Sequence, residues 1–178
     1  VHTPQEFVAL DHLLHDMRLY KSRGEIAAMR RSAKVAVRAH ERAMRMTRPG
    51  LYEYEIEAEF RYEFRRNNAW VSYSPIVGGG ANACTLHYVE NSAELKDGDL
   101  LLIDAGIKYR GYCADMTRTY SVSKKMSDKK ENQKFKNSKI QRAYKTVLRA
   151  KKTAIEKAKT GMKASTLDTI ARDIVDRS

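Results

Sequence analysis

The sequence predicts an α+β fold in which helices come first, strands follow and helices return. Three observations carry this. An amphipathic helical stretch opens behind a capping signal at Ser22. The pattern changes at Trp70 to β-branched and aromatic runs broken by glycines. A second pair of helical stretches then begins at Ser138. With 178 residues and 20.4 kDa, the chain can bury one good core.

The elements follow in order. Val1–Tyr20 reads as a short helix or connector. Ser22-Arg23-Gly24-Glu25 fits a capping box, in which the serine hydroxyl and the glutamate carboxylate satisfy free backbone N–H groups. The helix it opens has an apolar stripe at Ile26, Met29, Ala33, Ala36, Val37, His40, Ala43 and Met44, and Pro49-Gly50 ends it. A second helix spans roughly Tyr52 to Asn67, with Ile56, Phe60 and Phe64 on one face. Four strands are expected at Trp70–Val77, Cys84–Val89, Leu100–Tyr109 and Tyr112–Val122. The lysine-rich stretch Ser123–Lys136 has no periodicity and reads as a solvated loop. Ser138 and Gln141 offer a further capping box, opening a helix that closes at Thr160-Gly161, and a last helix begins near Thr166.

Gly50 and Gly161 lie 111 residues apart, and the same offset takes Ala39 to Ala150 and Ala43 to Ala154. Long helix, glycine break and shorter helix recur in the same order, which suggests an internal duplication. Its first copy (residues 22–122) runs on into strands. Its second (138–178) stops before any, so the chain is expected to end inside the second repeat. Residues 123–137 form a basic linker between them, and residues 1–21 read as the tail of a further N-terminal domain.

Charge narrows the function. Lys plus Arg number 34 against 22 Asp plus Glu, a net of +12, which alone favours an anionic partner such as nucleic acid. The excess is local, because residues 124–152 carry twelve basic side chains against Asp128 and Glu131. A solvated loop and helix face explain that better than a binding surface, and nucleic acid is not expected as a partner. No run of 18 apolar residues and no leader pattern is present, so no membrane association is expected. Two cysteines, Cys84 and Cys113, suit a reducing cytoplasm.

The chemistry concentrates in residues 101–122. Two strands flank a turn near Lys108–Gly111, and a tight hairpin would set Asp104 opposite Asp115 on one face, with Cβ atoms roughly 5 Å apart. Facing carboxylates repel unless one is protonated or positive charge lies between them. One divalent cation, or two about 3.5–4 Å apart, would supply it. The other reading gives the hairpin a different register, with each aspartate facing solvent or capping a turn. His87, in an apolar run, is either a packed residue or part of the site. Cys113 reads as packing. The run Gly78-Gly79-Gly80 lacks the lysine of a phosphate loop and reads as a connector.

The segments IVGGGANACTLHYVEN and DGDLLLIDAGIKYRGYCADMTRTYSV, with the lead-in HDMRLYKSRGEIAAMRRSA, resemble the pita-bread metallopeptidases of the bacterial Xaa-Pro aminopeptidase branch. The resemblance covers residues 12–122 closely and 138–178 as a helical pattern. It implies a pita-bread fold and a site for two divalent metal ions, usually Mn2+, in which a metal-bridged hydroxide attacks the carbonyl before proline. It further implies Asp104 and Asp115 as metal ligands, His87 as the histidine that binds substrate and steadies the transition state, and Tyr73 beside the metals. Its substrates would be peptides with proline in second position, and the full-length parent would be a homo-oligomer. The remaining ligands of that family, a histidine and two glutamates, belong to the second half of the fold. Residues 123–178 contain no histidine, so this chain alone is expected to bind metal weakly and hydrolyse nothing. The competing readings are a prolidase, or a non-enzymatic module of the same fold that binds a partner through its basic segment.

Overall fold

The computed structural model describes residues 9–123, 135 and 137–177. It divides into two compact units, residues 1–126 and 127–178. The first unit contains α1 (Asp11–Leu19), α2 (Arg23–Met46), α3 (Glu53–Arg66), β1 (Trp70–Val71), β2 (Ile76–Gly79), a 3-10 turn (Gly80–Cys84), β3 (Leu100–Tyr109) and β4 (Tyr112–Ser121). The second contains α4 (Ser138–Lys157) and α5 (Ala164–Asp176).

The capping box forms as expected. Ser22 N–H donates to Glu25 Oε2 at 2.6 Å, and Glu25 N–H to Ser22 Oγ at 3.3 Å. The buried face of α2 is Ser32, Val35, Ala36, Ala39, His40 and Ala43, whereas Ile26, Met29 and Val37 are exposed. The stripe expected from the sequence is therefore rotated around the helix. Small side chains at Ser32, Ala36, Ala39 and Ala43 form the face that α2 lays against the sheet, and larger apolar residues flank it. Ile56, Phe60 and Phe64 of α3 are buried as expected, each contributing about 1.5–3 kcal/mol by leaving water.

All strand pairs are antiparallel, and β3 is central. β4 pairs along one edge of β3. On the other edge, β2 pairs with Leu101–Asp104 and β1 with Ile107–Lys108. The run expected as one strand, Trp70–Val77, is thus broken at residues 72–75. Pro75, with no N–H to donate to a ladder, stands at the break. Leu101, Ile103, Ala105 and Ile107 point into the core, where they join residues of α2 and α3. The even-numbered residues of β3 face the other side.

Cys84–Val89 forms no strand, contrary to expectation. It is a turn and irregular segment held by side chains, described below. The N-cap of α4 is Asn137 rather than Ser138, with Asn137 Oδ1 accepting from Lys139 N–H at 2.8 Å. Either residue type caps a helix, so sequence alone leaves adjacent candidates equal. Apart from Ser123 and Phe135, the basic stretch 123–136 lies outside the described residues. Among the described residues, no helix is long and apolar enough to cross a membrane.

Candidate metal centre

The β3–β4 turn fixes the geometry of the site. Arg110 and Gly111 form a two-residue loop with φ of +50° and +85°, the signature of a type I′ turn, whose twist matches that of the strands. The turn pairs Tyr109 with Tyr112, and hence Asp104 with Thr117 and Asp115 with Gly106. The register that would set the two aspartates directly opposite is therefore not the one adopted. They are diagonal neighbours, two positions apart along the ladder. Because the offset is even, both remain on the face away from α2.

Tyr73 joins them. It lies in the break between β1 and β2, where Ser72 N–H donates to Gly106 C=O at 2.9 Å and carries the chain across β3. The Tyr73 hydroxyl is 2.5 Å from Asp104 Oδ1 and 2.9 Å from Asp115 Oδ1. A Cβ at Gly106 would collide with Ser72 Oγ and with the Tyr73 ring, so glycine there is what lets the phenol lie over the strand. Burial, then the hydrogen bonds to Asp104 and Asp115, push the Tyr73 phenol far above its ordinary pKa, so it stays protonated.

One proton thus serves two carboxylate oxygens. The cluster is rich in lone pairs and negative charge and short of donors. Its atoms are hard oxygens, which suit a hard divalent cation. The two carboxylates fit two ligand positions of such a site. They do not complete a coordination shell, since among the described residues no group of three or more His, Cys, Asp or Glu converges. Asp104 is half-buried and Asp115 exposed, so their apolar neighbours do not shield the pair from water. Odd-numbered β3 residues turn to the core, while the carboxylates occupy the open face. Cys113, expected to be packed, is exposed on that same face, and Cys84 is exposed too. Both thiols are free.

His87 lies on an exposed turn rather than a strand, with φ of +55°. No hydrogen bond or ion pair joins it to Tyr73, Asp104 or Asp115. The structure thus brings together three of the four expected residues. His40, part of the apolar stripe expected on α2, is buried. Its Nε2 lies 2.9 Å from Met116 C=O and its ring meets Phe60 edge-on.

Sequence reasoning missed the residues that hold the His87 segment, above all Glu53, which is fully buried. Its Oε1 accepts from Gly79 N–H and Asn82 Nδ2, and its Oε2 from the Tyr88 hydroxyl and Ala93 N–H. One turn on, Glu57 accepts from Asn91 Nδ2, and Asn91 in turn binds Val77 N–H and Pro75 C=O. A signal was available, because Glu53 shares the helical face of Ile56 and Phe60, where an acid is out of place unless it is paired.

The chain resembles known proteins in sequence and in fold. Residues 27–178 match the model of metallopeptidase family M24. The chain is 51% identical to the Xaa-Pro aminopeptidase of Escherichia coli (strain K12) over 116 residues, which are 65% of this chain and 26% of that protein. It is 33% identical to the Xaa-Pro dipeptidase of Pyrococcus horikoshii, over 96% of this chain and 46% of that protein. Among solved structures, aminopeptidase PepP of Pseudomonas aeruginosa superposes with a TM-score of 0.86 at 44% identity, covering 99% of this chain and 38% of that one. The chain spans less than half the length of each of these relatives. Its sheet and helices are those of a pita-bread fold, and the chain belongs to metallopeptidase family M24.

Proposed function

We propose that this chain carries part of the catalytic site of an Xaa-Pro aminopeptidase, with Asp104 and Asp115 as ligands for divalent cations. The observation that supports this most is the convergence of both Oδ1 atoms on the single Tyr73 hydroxyl, a cluster of negative charge that a divalent cation would balance. Manganese is the favoured metal, because the donors are carboxylate and hydroxyl oxygens. Bound cations would supply Lewis acidity and lower the pKa of water at the site.

The chain's own residues do the rest. Asp104 and Asp115 bring negative charge to one open face of the sheet. Tyr73, kept protonated, donates to their Oδ1 atoms and fixes how the carboxylates point. His87, exposed on its turn, is free to donate from its imidazole to the carbonyl of a peptide with proline in second position. The domain division at the basic linker 123–137 and a homo-oligomeric full-length protein belong to the same proposal. The two free thiols favour the reducing cytoplasm.

Titrating Mn2+ into the chain, followed by electron paramagnetic resonance, tests the ligand assignment. Asp104→Asn and Asp115→Asn should each weaken binding at least about 10-fold, since each removes one anionic ligand of a site that has few. Unchanged affinity in both variants would remove the assignment. The chain alone should not hydrolyse Xaa-Pro peptides with Mn2+, and measured turnover would contradict that expectation. A prolidase reading has its own support in the Pyrococcus relative, named a dipeptidase, which matches 96% of this chain. Assay of the full-length protein separates the two: preference for longer Xaa-Pro peptides favours the aminopeptidase, and restriction to dipeptides the prolidase.

A further inference from the structure

Residues 85–93 contain neither helix nor strand, yet the segment is tied down at both ends and in the middle. The tie is one side chain. Glu53 accepts from Gly79 N–H at 2.7 Å, Asn82 Nδ2 at 3.1 Å, the Tyr88 hydroxyl at 2.7 Å and Ala93 N–H at 2.9 Å. All four donors lie in the stretch that begins at β2 and carries His87. The Tyr88 hydroxyl also accepts from Asn82 Nδ2 at 3.0 Å and from Ser92 N–H at 3.3 Å, so the neighbour of His87 is the knot of the network. His87 itself stands outside that network with its left-handed backbone, which a non-glycine residue keeps only where its surroundings hold it.

A buried carboxylate is an expensive way to fill space, and an apolar side chain of that size would serve packing as well or better. What the carboxylate does that no apolar residue can is accept four hydrogen bonds from one loop. Two oxygens offer four lone-pair sites, and four donors occupy them. We propose that Glu53 is a positioning residue: through Asn82, Tyr88 and the Gly79 and Ala93 amides it fixes the loop that presents His87, and so sets where His87 meets a bound peptide. The role of His87 in this statement rests on the function proposed above. Glu53 touches neither substrate nor metal and acts only through the loop.

The test uses Glu53→Gln and, as a milder variant, Tyr88→Phe, in the 178-residue chain. An amide keeps one acceptor oxygen and sets an NH2 group against donors, so the network breaks locally. Backbone amide exchange is measured along the chain, and the His87 imidazole is followed by nuclear magnetic resonance during titration with Ala-Pro-Ala in the presence of diamagnetic Mg2+. Exchange across 80–93 should accelerate about tenfold or more in Glu53→Gln while α2, β3 and β4 keep their protection, because only a local opening is released. Tyr88→Phe should show the same pattern at smaller amplitude. The peptide-induced shift of the His87 resonance should require about tenfold more peptide in Glu53→Gln, with Mn2+ affinity unchanged. Acceleration spread evenly over the chain in both variants, or unchanged protection at 80–93, would overturn the proposal, since the acid would then be an ordinary core residue. If His87 in the unsubstituted chain ignores the peptide, the substrate role of His87 falls, and with it the claim that Glu53 serves substrate. The exchange data still decide whether Glu53 holds the loop.

Discussion

The helix pairs α2–α3 and α4–α5 share one grammar and differ in burial. Each is a long helix, a glycine with φ above +80° (Gly50 and Gly161), then a shorter helix. Yet α2 buries six residues and α3 five, whereas α4 buries Ala150 alone and α5 none among the described residues. The contrast is sharpest at matched positions. Ala36 is 0% exposed, and Val147, 111 residues later, is 62% exposed. An apolar stripe states which face would gain by leaving water. Whether it does so depends on a sheet to lie against, which α2 has in β3 and β4.

Core truncation gives the largest expected effect. Phe60→Ala removes a ring packed on His40 and Phe64 and should cost about 3–5 kcal/mol in urea unfolding, against no more than about 0.5 kcal/mol for Val147→Ala. Equal costs would abolish the distinction between the two pairs.

Acid should weaken the first pair next. Burial lowers the His40 pKa from 6.5 to about 4, and its Nδ1 has no hydrogen-bond partner. The unfolded chain therefore binds this proton at a higher pH than the fold does. The contribution is complete above pH 6.5 and is lost as pH falls from 6.5 toward 4, up to about 3 kcal/mol in all. His40→Gln should flatten stability across that window. A slope equal to that of the unsubstituted chain would assign it to other groups.

At the site, Gly106→Ala should cost about 1–3 kcal/mol, because the new methyl meets Ser72 and Tyr73. It should also weaken Mn2+ binding by displacing Tyr73 from the carboxylates. Loss of stability with unchanged binding would show that Tyr73 does not govern the pair. The smallest effect belongs to α5, where Arg172 and Asp168 pair at 2.8 Å in full solvent. Asp168→Asn should change thermal stability by less than about 0.5 kcal/mol.

What the sequence made legible were features with local causes. The capping box, the break at Pro49-Gly50, the hairpin and the shared face of Asp104 and Asp115 each follow from residues within a few positions of one another. Three features were hidden because their causes lie elsewhere. The register depended on Arg110 accepting a positive φ, a conformation its side chain does not advertise. The loop carrying His87 looked like a strand because its apolar residues alternate, while the acid that shapes it sits more than 30 residues upstream. The rotation of α2 depended on which residues were small enough for close approach, and that is decided by the sheet.

Two hydrogen bonds of Tyr112 bear on how this fold can assemble. Ser32 Oγ donates to Tyr112 C=O at 2.8 Å, and Glu25 is hydrogen-bonded to the Tyr112 hydroxyl, across separations of 80 and 87 residues. The hairpin, by contrast, closes through a two-residue loop. Loop-closure entropy rises with the logarithm of loop length, so β3 and β4 can pair before α2 docks on them. The mutual placement of Asp104 and Asp115 is then a product of the earliest, most local step. The helix that seals the far side of the sheet has the longer loop to close, and the site's spacing does not depend on that closure.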